Sequence, residues 1–105
     1  MTENEISYLI RGCVFNVYNE LGPGLLESVY KVALAFELNK AGLKAYSEVP
    51  LPVVYKGIKL ECGFRMDIVV NDLVLVEIKS VESLANVHHL QMLTYLKLSG
   101  KRLGL

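Results

Sequence analysis

A chain of 105 residues supplies one hydrophobic core and is too short for two domains, since domains usually run to ~100–150 residues. Hydrophobic residues at 52% against 21% charged exclude a disordered chain. Eleven Lys and Arg balance eleven Asp and Glu, so no bulk basic excess drives nucleic-acid binding and any polyanion contact has to be local.

Ile6, Leu9, Ile10, Cys13, Val17 and Leu21 recur at spacings of three and four, which predicts an amphipathic helix over Ile6–Leu21 capped by Thr2 or Asn4. Gly22-Pro23-Gly24 stops it, because proline lacks the amide donor and glycine tolerates the turn. A second helix is expected from about Leu25 to Lys40, closing at Ala41-Gly42. Lys44–Tyr55 reads as a first strand, placed at a sheet edge by Pro50 and Pro52. Lys56-Gly57 predicts a tight reversal into a long second strand, Ile58–Val70, with a bulge at Gly63. Asn71-Asp72 turns the chain into a third strand, Leu73–Lys79. A last helix runs from Ser83 to about Leu98, followed by the apolar stub Leu103-Gly104-Leu105. The order α-α-β-β-β-α with a stub describes one α+β or mixed α/β unit over residues 1–105, without repeats or linkers.

Cys13 and Cys62 stand alone, which excludes a Cys-x-x-Cys zinc site and a disulfide framework; both read as buried fillers in a reducing compartment. No apolar run approaches the ~18 residues of a spanning helix, and Met1-Thr2-Glu3-Asn4-Glu5 is acidic where a signal peptide is basic. The expected location is the cytoplasm, with no membrane partner.

Chemistry concentrates at Asp67 and at Glu77-Ile78-Lys79. Residues two apart in a strand share a face, so Glu77 and Lys79 point the same way from a segment otherwise suited to burial. Register decides whether Asp67 joins them. A two-residue loop sets Asp67 against Val76, away from Glu77. A three-residue loop pairs Val70 with Val74 and puts Asp67 directly across from Glu77, with Cβ atoms roughly 4.5–5.5 Å apart. The three-residue loop, or an equivalent bulge, is the expectation. Two carboxylates that close repel unless a proton or cation intervenes, and oxygen donors select Mg²⁺, Mn²⁺ or Ca²⁺ over zinc. Lys79 can then hold an attacking water or stabilise charge on a phosphate, a combination suited to phosphodiester hydrolysis. An exposed hairpin carrying a cross-strand Lys/Glu pair accounts for the same three residues without any function.

Asp67 followed by Glu77-x-Lys79 on the next strand resembles the PD-(D/E)XK nuclease superfamily, with its restriction-endonuclease-like α-β-β-β-α-β core, here preceded by an extra N-terminal helix. Gly24-Leu25-Leu26-Glu27-Ser28-Val29-Tyr30 is similar to the signature of the GxxExxY family within it. Gln91-Met92-Leu93-Thr94-Tyr95 resembles the Gln-x-x-x-Tyr element of nucleases related to the bacterial recombination exonuclease. The resemblance spans roughly residues 5 to 105. It implies Asp67, Glu77 and the Ile78 carbonyl as metal ligands, with Glu27 completing the set, Mg²⁺ or Mn²⁺ as cofactor, and Lys79 as the catalytic lysine. Gln91 and Tyr95 would flank the substrate or support the ligands. The implied substrate is nucleic acid, DNA before RNA; the alternative is a non-catalytic nucleic-acid-binding or protein-interaction module on the same fold.

Glu27 shares a helical stripe with Tyr30, Lys31 and Leu34, and a first-turn acid also needs no function. Tyr30 and Tyr95 read as half-buried packing residues with hydrogen-bonded hydroxyls. His88 is within reach of a phosphate role, His89 is solvated, and Glu48 reads as a strand-surface charge. Lys97, Lys101 and Arg102 read as favourable charge at a helix C-terminus. Met66 stands where the motif has proline. The fourth strand of the core has only Leu103-Gly104-Leu105 to supply it and looks truncated, and an unpaired edge beside the third strand would favour a homodimer.

Overall fold

The computed structural model describes residues 1–81 and 83–105. Helix α1 spans Glu3–Leu21, started by a capping box in which the Thr2 hydroxyl accepts from the Glu5 amide and the Glu5 carboxylate accepts from the Thr2 amide. Its stripe Ile6, Ile10, Cys13 and Val17 is buried. Gly22 ends the helix at φ 69°. Helix α2, Glu27–Lys40, buries Leu34 and Leu38 against the same core. Between the helices the Tyr30 hydroxyl donates to the Gly22 carbonyl at 2.6 Å and accepts from the Leu25 amide at 3.1 Å, bracing the turn that sets the start of α2.

The main sheet runs β1-β4-β5-β6, with β1 Ala45–Pro50, β4 Arg65–Val70, β5 Val74–Val76 and β6 Leu103–Gly104. β1 lies at the edge, where Pro50 at its end is tolerated. The β1–β4 and β4–β5 pairs are antiparallel and β5–β6 is parallel, giving a mixed sheet with α+β architecture consistent with a restriction-endonuclease-like core. Helix α3, Asn86–Ser99, completes it. Alternating strand residues serve two faces. Ile68, Val70, Val74 and Val76 pack with α1 and α2, whereas Val69 and Leu75 pack with Tyr95 of α3.

Several boundaries differ from the sequence expectation. The expected first and second strands each divide: β2 Val53–Tyr55 and β3 Ile58–Leu60 form a separate hairpin sheet, closed at Lys56-Gly57 as anticipated. Pro52, without an amide to donate, separates β1 from β2. Gly63, at φ 80°, lies in the irregular link from β3 to β4 rather than in a bulged strand. Cys13 is buried, but Cys62 is exposed on that link, outside both core clusters. α3 starts at Asn86, three residues later than Ser83. β6 pairs Leu103 with Val74 and Gly104 with Leu75, occupying the edge that the sequence left unpaired. Lys101 bonds Asp72 and Arg102 bonds Glu3, so both reach across the fold rather than serving the end of α3. No described helix is long and apolar enough to cross a membrane.

Candidate active site

The loop between β4 and β5 has the three-residue form. Val70 pairs with Val74 and Ile68 with Val76, with Asn71-Asp72-Leu73 between. Asn71 and Asp72 both adopt left-handed φ, at 51° and 56°, and the Leu73 amide donates to the Val70 carbonyl. Asn and Asp tolerate that conformation better than most side chains, and Leu73 is the extra residue that shifts the register.

That register brings Asp67 and Glu77 together. The Asp67 amide donates to Glu77 Oε2 at 3.1 Å, and the Ile78 amide donates to Asp67 Oδ2 at 2.8 Å. Burial, reinforced by the hydrogen bond and charge of Asp67, pushes the Glu77 carboxyl up to about 8, although the Asp67 amide and the Lys79 ammonium pull it back. Glu77, Ile78 and Lys79 line an open cleft of about 900 Å³ that Arg11, Tyr18 and Tyr30 also border. β5 itself ends at Val76, one residue before this group, and the Glu77 amide donates onward to the Leu105 carbonyl.

Glu27 opens α2, where its Oε2 accepts from the Ser80 amide at 2.8 Å; Ser80 Oγ in turn donates to the Leu25 carbonyl. Glu27 thus fastens the segment after Lys79 to the start of α2 rather than meeting the other two acids. Among the described residues no group of three or more His, Cys, Asp or Glu side chains is arranged to hold a metal ion. The acids come as a pair. That pair fits a hard divalent cation by its chemistry: two adjoining oxygen donors, the charged form of Glu77 disfavoured by burial and by Asp67 and so favoured by a nearby positive charge.

Lys31 and Glu48 belong to this cluster although sequence reading gave them no role. Lys31 Nζ hydrogen-bonds Glu48 Oε1 and lies 3.6 Å from Asp67 Oδ1. The bond to Glu48, with Asp67 behind it, raises the Lys31 pKa above the ordinary value. Glu48 sits in β1 opposite Asp67, between the pairs Ser47–Ile68 and Val49–Met66, with φ at 55°. A left-handed residue without a glycine's freedom costs of order 1–3 kcal/mol. Across from it the alternation of β4 breaks: Met66 packs with the α3 cluster, whereas Ile68, two residues on, packs with α1 and α2. The sequence places Lys31 one helical turn from Glu27 on the same stripe, but nothing in it marks Glu48.

The other candidates lie elsewhere. Tyr95 is buried beside Leu75 and Met66, its ring 6.0 Å from Phe64, and its hydroxyl meets Gln91 Nε2 at 3.5 Å. His88 Nδ1 accepts from the Ala85 amide at the start of α3. Among the described residues no hydrogen bond or ion pair joins Gln91, Tyr95 or His88 to Asp67 or Glu77.

A family model for the PD-(D/E)XK nuclease superfamily matches residues 4–105. The chain belongs to that superfamily. No curated protein and no solved structure matches it. PD-(D/E)XK nucleases generally use divalent metals and act on nucleic acid. Membership assigns the chain a nuclease-like fold.

Proposed function

We propose that this chain is a metal-dependent nuclease domain of the GxxExxY kind, hydrolysing phosphodiester bonds in nucleic acid, DNA before RNA. The observation that carries this reading is the juxtaposition of the Asp67 and Glu77 carboxylates, with Glu77 and Lys79 lining an open cleft. Asp67, Glu77 and the Ile78 carbonyl are the groups that would hold Mg²⁺ or Mn²⁺, and Glu27 would join them by leaving the Ser80 amide. The ion, when bound, supplies Lewis acidity and an acidified water.

The chain's own residues do the rest. The Ile78 amide fixes the Asp67 carboxylate, and the Asp67 amide fixes that of Glu77, so neither has to be ordered when substrate arrives. Lys79 orients the attacking water and stabilises the negative charge that grows on the phosphate oxygens as the new P–O bond forms and the leaving oxygen departs. Tyr30 borders the cleft and braces the turn that carries Glu27. Cytoplasmic nucleic acid is the proposed partner.

The test is a panel of linear, supercoiled and single-stranded DNA and of RNA, incubated with Mn²⁺. Wild type is expected to cleave at least one substrate, and Lys79→Ala to lose about 10²-fold or more of that rate, the scale of a positioned proton-transfer or charge-stabilising group. Equal cleavage by both proteins would overturn the assignment. Mn²⁺ binding without cleavage of any substrate would favour the non-catalytic module, which the balanced charge of the chain also accommodates.

A further inference from the structure

Resting on the metal-dependent reading, we propose that Glu48 is a positioning residue that draws the Lys31 ammonium away from Asp67, so that a divalent cation can displace it from Asp67 Oδ1. The two Asp67 oxygens have different surroundings. Oδ2 is occupied by the Ile78 amide at 2.8 Å, and Oδ1 faces Lys31. At 3.6 Å that ammonium is ion-paired to Oδ1 without a hydrogen bond, whereas it hydrogen-bonds Glu48. The Lys31 side chain is only 19% exposed, so its ammonium has little water to replace these two carboxylates. Its position decides whether Oδ1 is available.

Two carboxylates act on Lys31, Glu48 from β1 and Asp67 from β4, and Asp67 is in turn hydrogen-bonded to Glu77; Glu27 stands one helical turn before Lys31 on α2 and bonds the Ser80 amide. A divalent ion at Asp67 and Glu77 would meet the Lys31 ammonium on the Asp67 side as well as Lys79 on the Glu77 side, and its repulsion with Lys31 is least when a third carboxylate holds that ammonium away. Two observations single out Glu48 for the task. Among the described residues its side chain has no hydrogen-bond partner but Lys31, and its backbone takes a left-handed φ of 55° in the middle of a strand, opposite Asp67. An ordinary surface ion pair has no use for that conformation.

The two partners should therefore act on metal affinity with opposite signs. Removing the Glu48 charge leaves Asp67 Oδ1 as the nearest acceptor for Lys31, and the ammonium then competes with the cation. Removing the Lys31 charge takes the competitor away. Titration calorimetry with Mn²⁺ alone, on wild type, Glu48→Gln, Lys31→Met and the double variant, reads both effects. Glu48→Gln is expected to weaken Mn²⁺ binding roughly tenfold, the scale of a group that orients a metal ligand. Lys31→Met should bind at least as tightly as wild type, and the double variant should return to the Lys31→Met value.

Melting curves of the apo proteins identify any variant that does not fold, and the charge-conserving Glu48→Asp, expected to fall between wild type and Glu48→Gln, supplies a second reading. Equal losses in Glu48→Gln and Lys31→Met are what a merely structural ion pair gives and would overturn the proposal, as would unchanged affinity in Glu48→Gln. If wild type binds Mn²⁺ in either of those cases, this proposal fails alone; if wild type gives no Mn²⁺ heat at all, the metal reading fails and takes the proposal with it.

Discussion

The Glu77 carboxyl carries a stability signature that can be read without any substrate. Its pKa in the folded chain rises from the ordinary 4.5 to about 8, chiefly by burial and then by Asp67. Between those values the unfolded chain has released the proton while the folded chain keeps it, so the folded state binds more protons and stability falls as pH rises. Below the window both states are protonated and above it both are ionised. Melting temperature without divalent ions is therefore expected to fall between about pH 5 and pH 8, and Glu77→Gln, which carries no titrating group there, to flatten that slope. A wild-type profile as flat as that of Glu77→Gln would contradict the burial argument. The Asp67–Glu77 pairing was legible in the sequence because strand periodicity and loop length are simple geometry. The roles of Lys31 and Glu48 were not, since they depend on the backbone twist at Glu48, which no residue type announces.

At the scale of elements, the turn before α2 links local chemistry to the cleft. One hydroxyl, that of Tyr30, bonds both Gly22 and Leu25, and Leu25 in turn receives Ser80 Oγ just after Lys79. Tyr30→Phe keeps the ring and removes both bonds, leaving the partly buried Gly22 carbonyl without its donor. About 1–2 kcal/mol of stability should be lost, measured as a lower urea midpoint with an unchanged slope. A shift under about 0.3 kcal/mol would mean water replaces the hydroxyl at no cost. Helix positions were readable because α1 carries apolar residues at three-and-four spacing, Gly22-Pro23-Gly24 stops it, and Ala41-Gly42 closes α2. Strand boundaries were harder. Val, Tyr and Leu continue through Pro50-Leu51-Pro52, and only the three-dimensional register shows β2 and β3 leaving the main sheet as a hairpin of their own.

Across the whole molecule, the short strand β5 has to hold two cores and a site together. Leu75 is fully buried on the α3 side, Val74 and Val76 are buried toward α1 and α2, and Glu77 follows at once. Leu75→Ala should cost about 2–5 kcal/mol, most of the stability of a marginal domain, by chemical denaturation. A loss below about 1 kcal/mol would show that the α3 layer contributes little to the fold. The apolar run at Leu73–Val76 announced a buried strand from the sequence but not its second neighbour β6, and the order of elements matched the nuclease-like core. The position of Glu27 did not follow from order alone: its stripe faces the right way, but Ser80 is close enough to engage its carboxylate first.

The central claim is that Asp67 and Glu77 together hold a divalent ion. Anomalous scattering from crystals grown with Mn²⁺ addresses it directly. The account predicts a single strong peak bonded to a carboxylate oxygen of each residue and to the Ile78 carbonyl, lost in Glu77→Ala. A peak bonded to neither carboxylate, or no peak at saturating Mn²⁺, would contradict it.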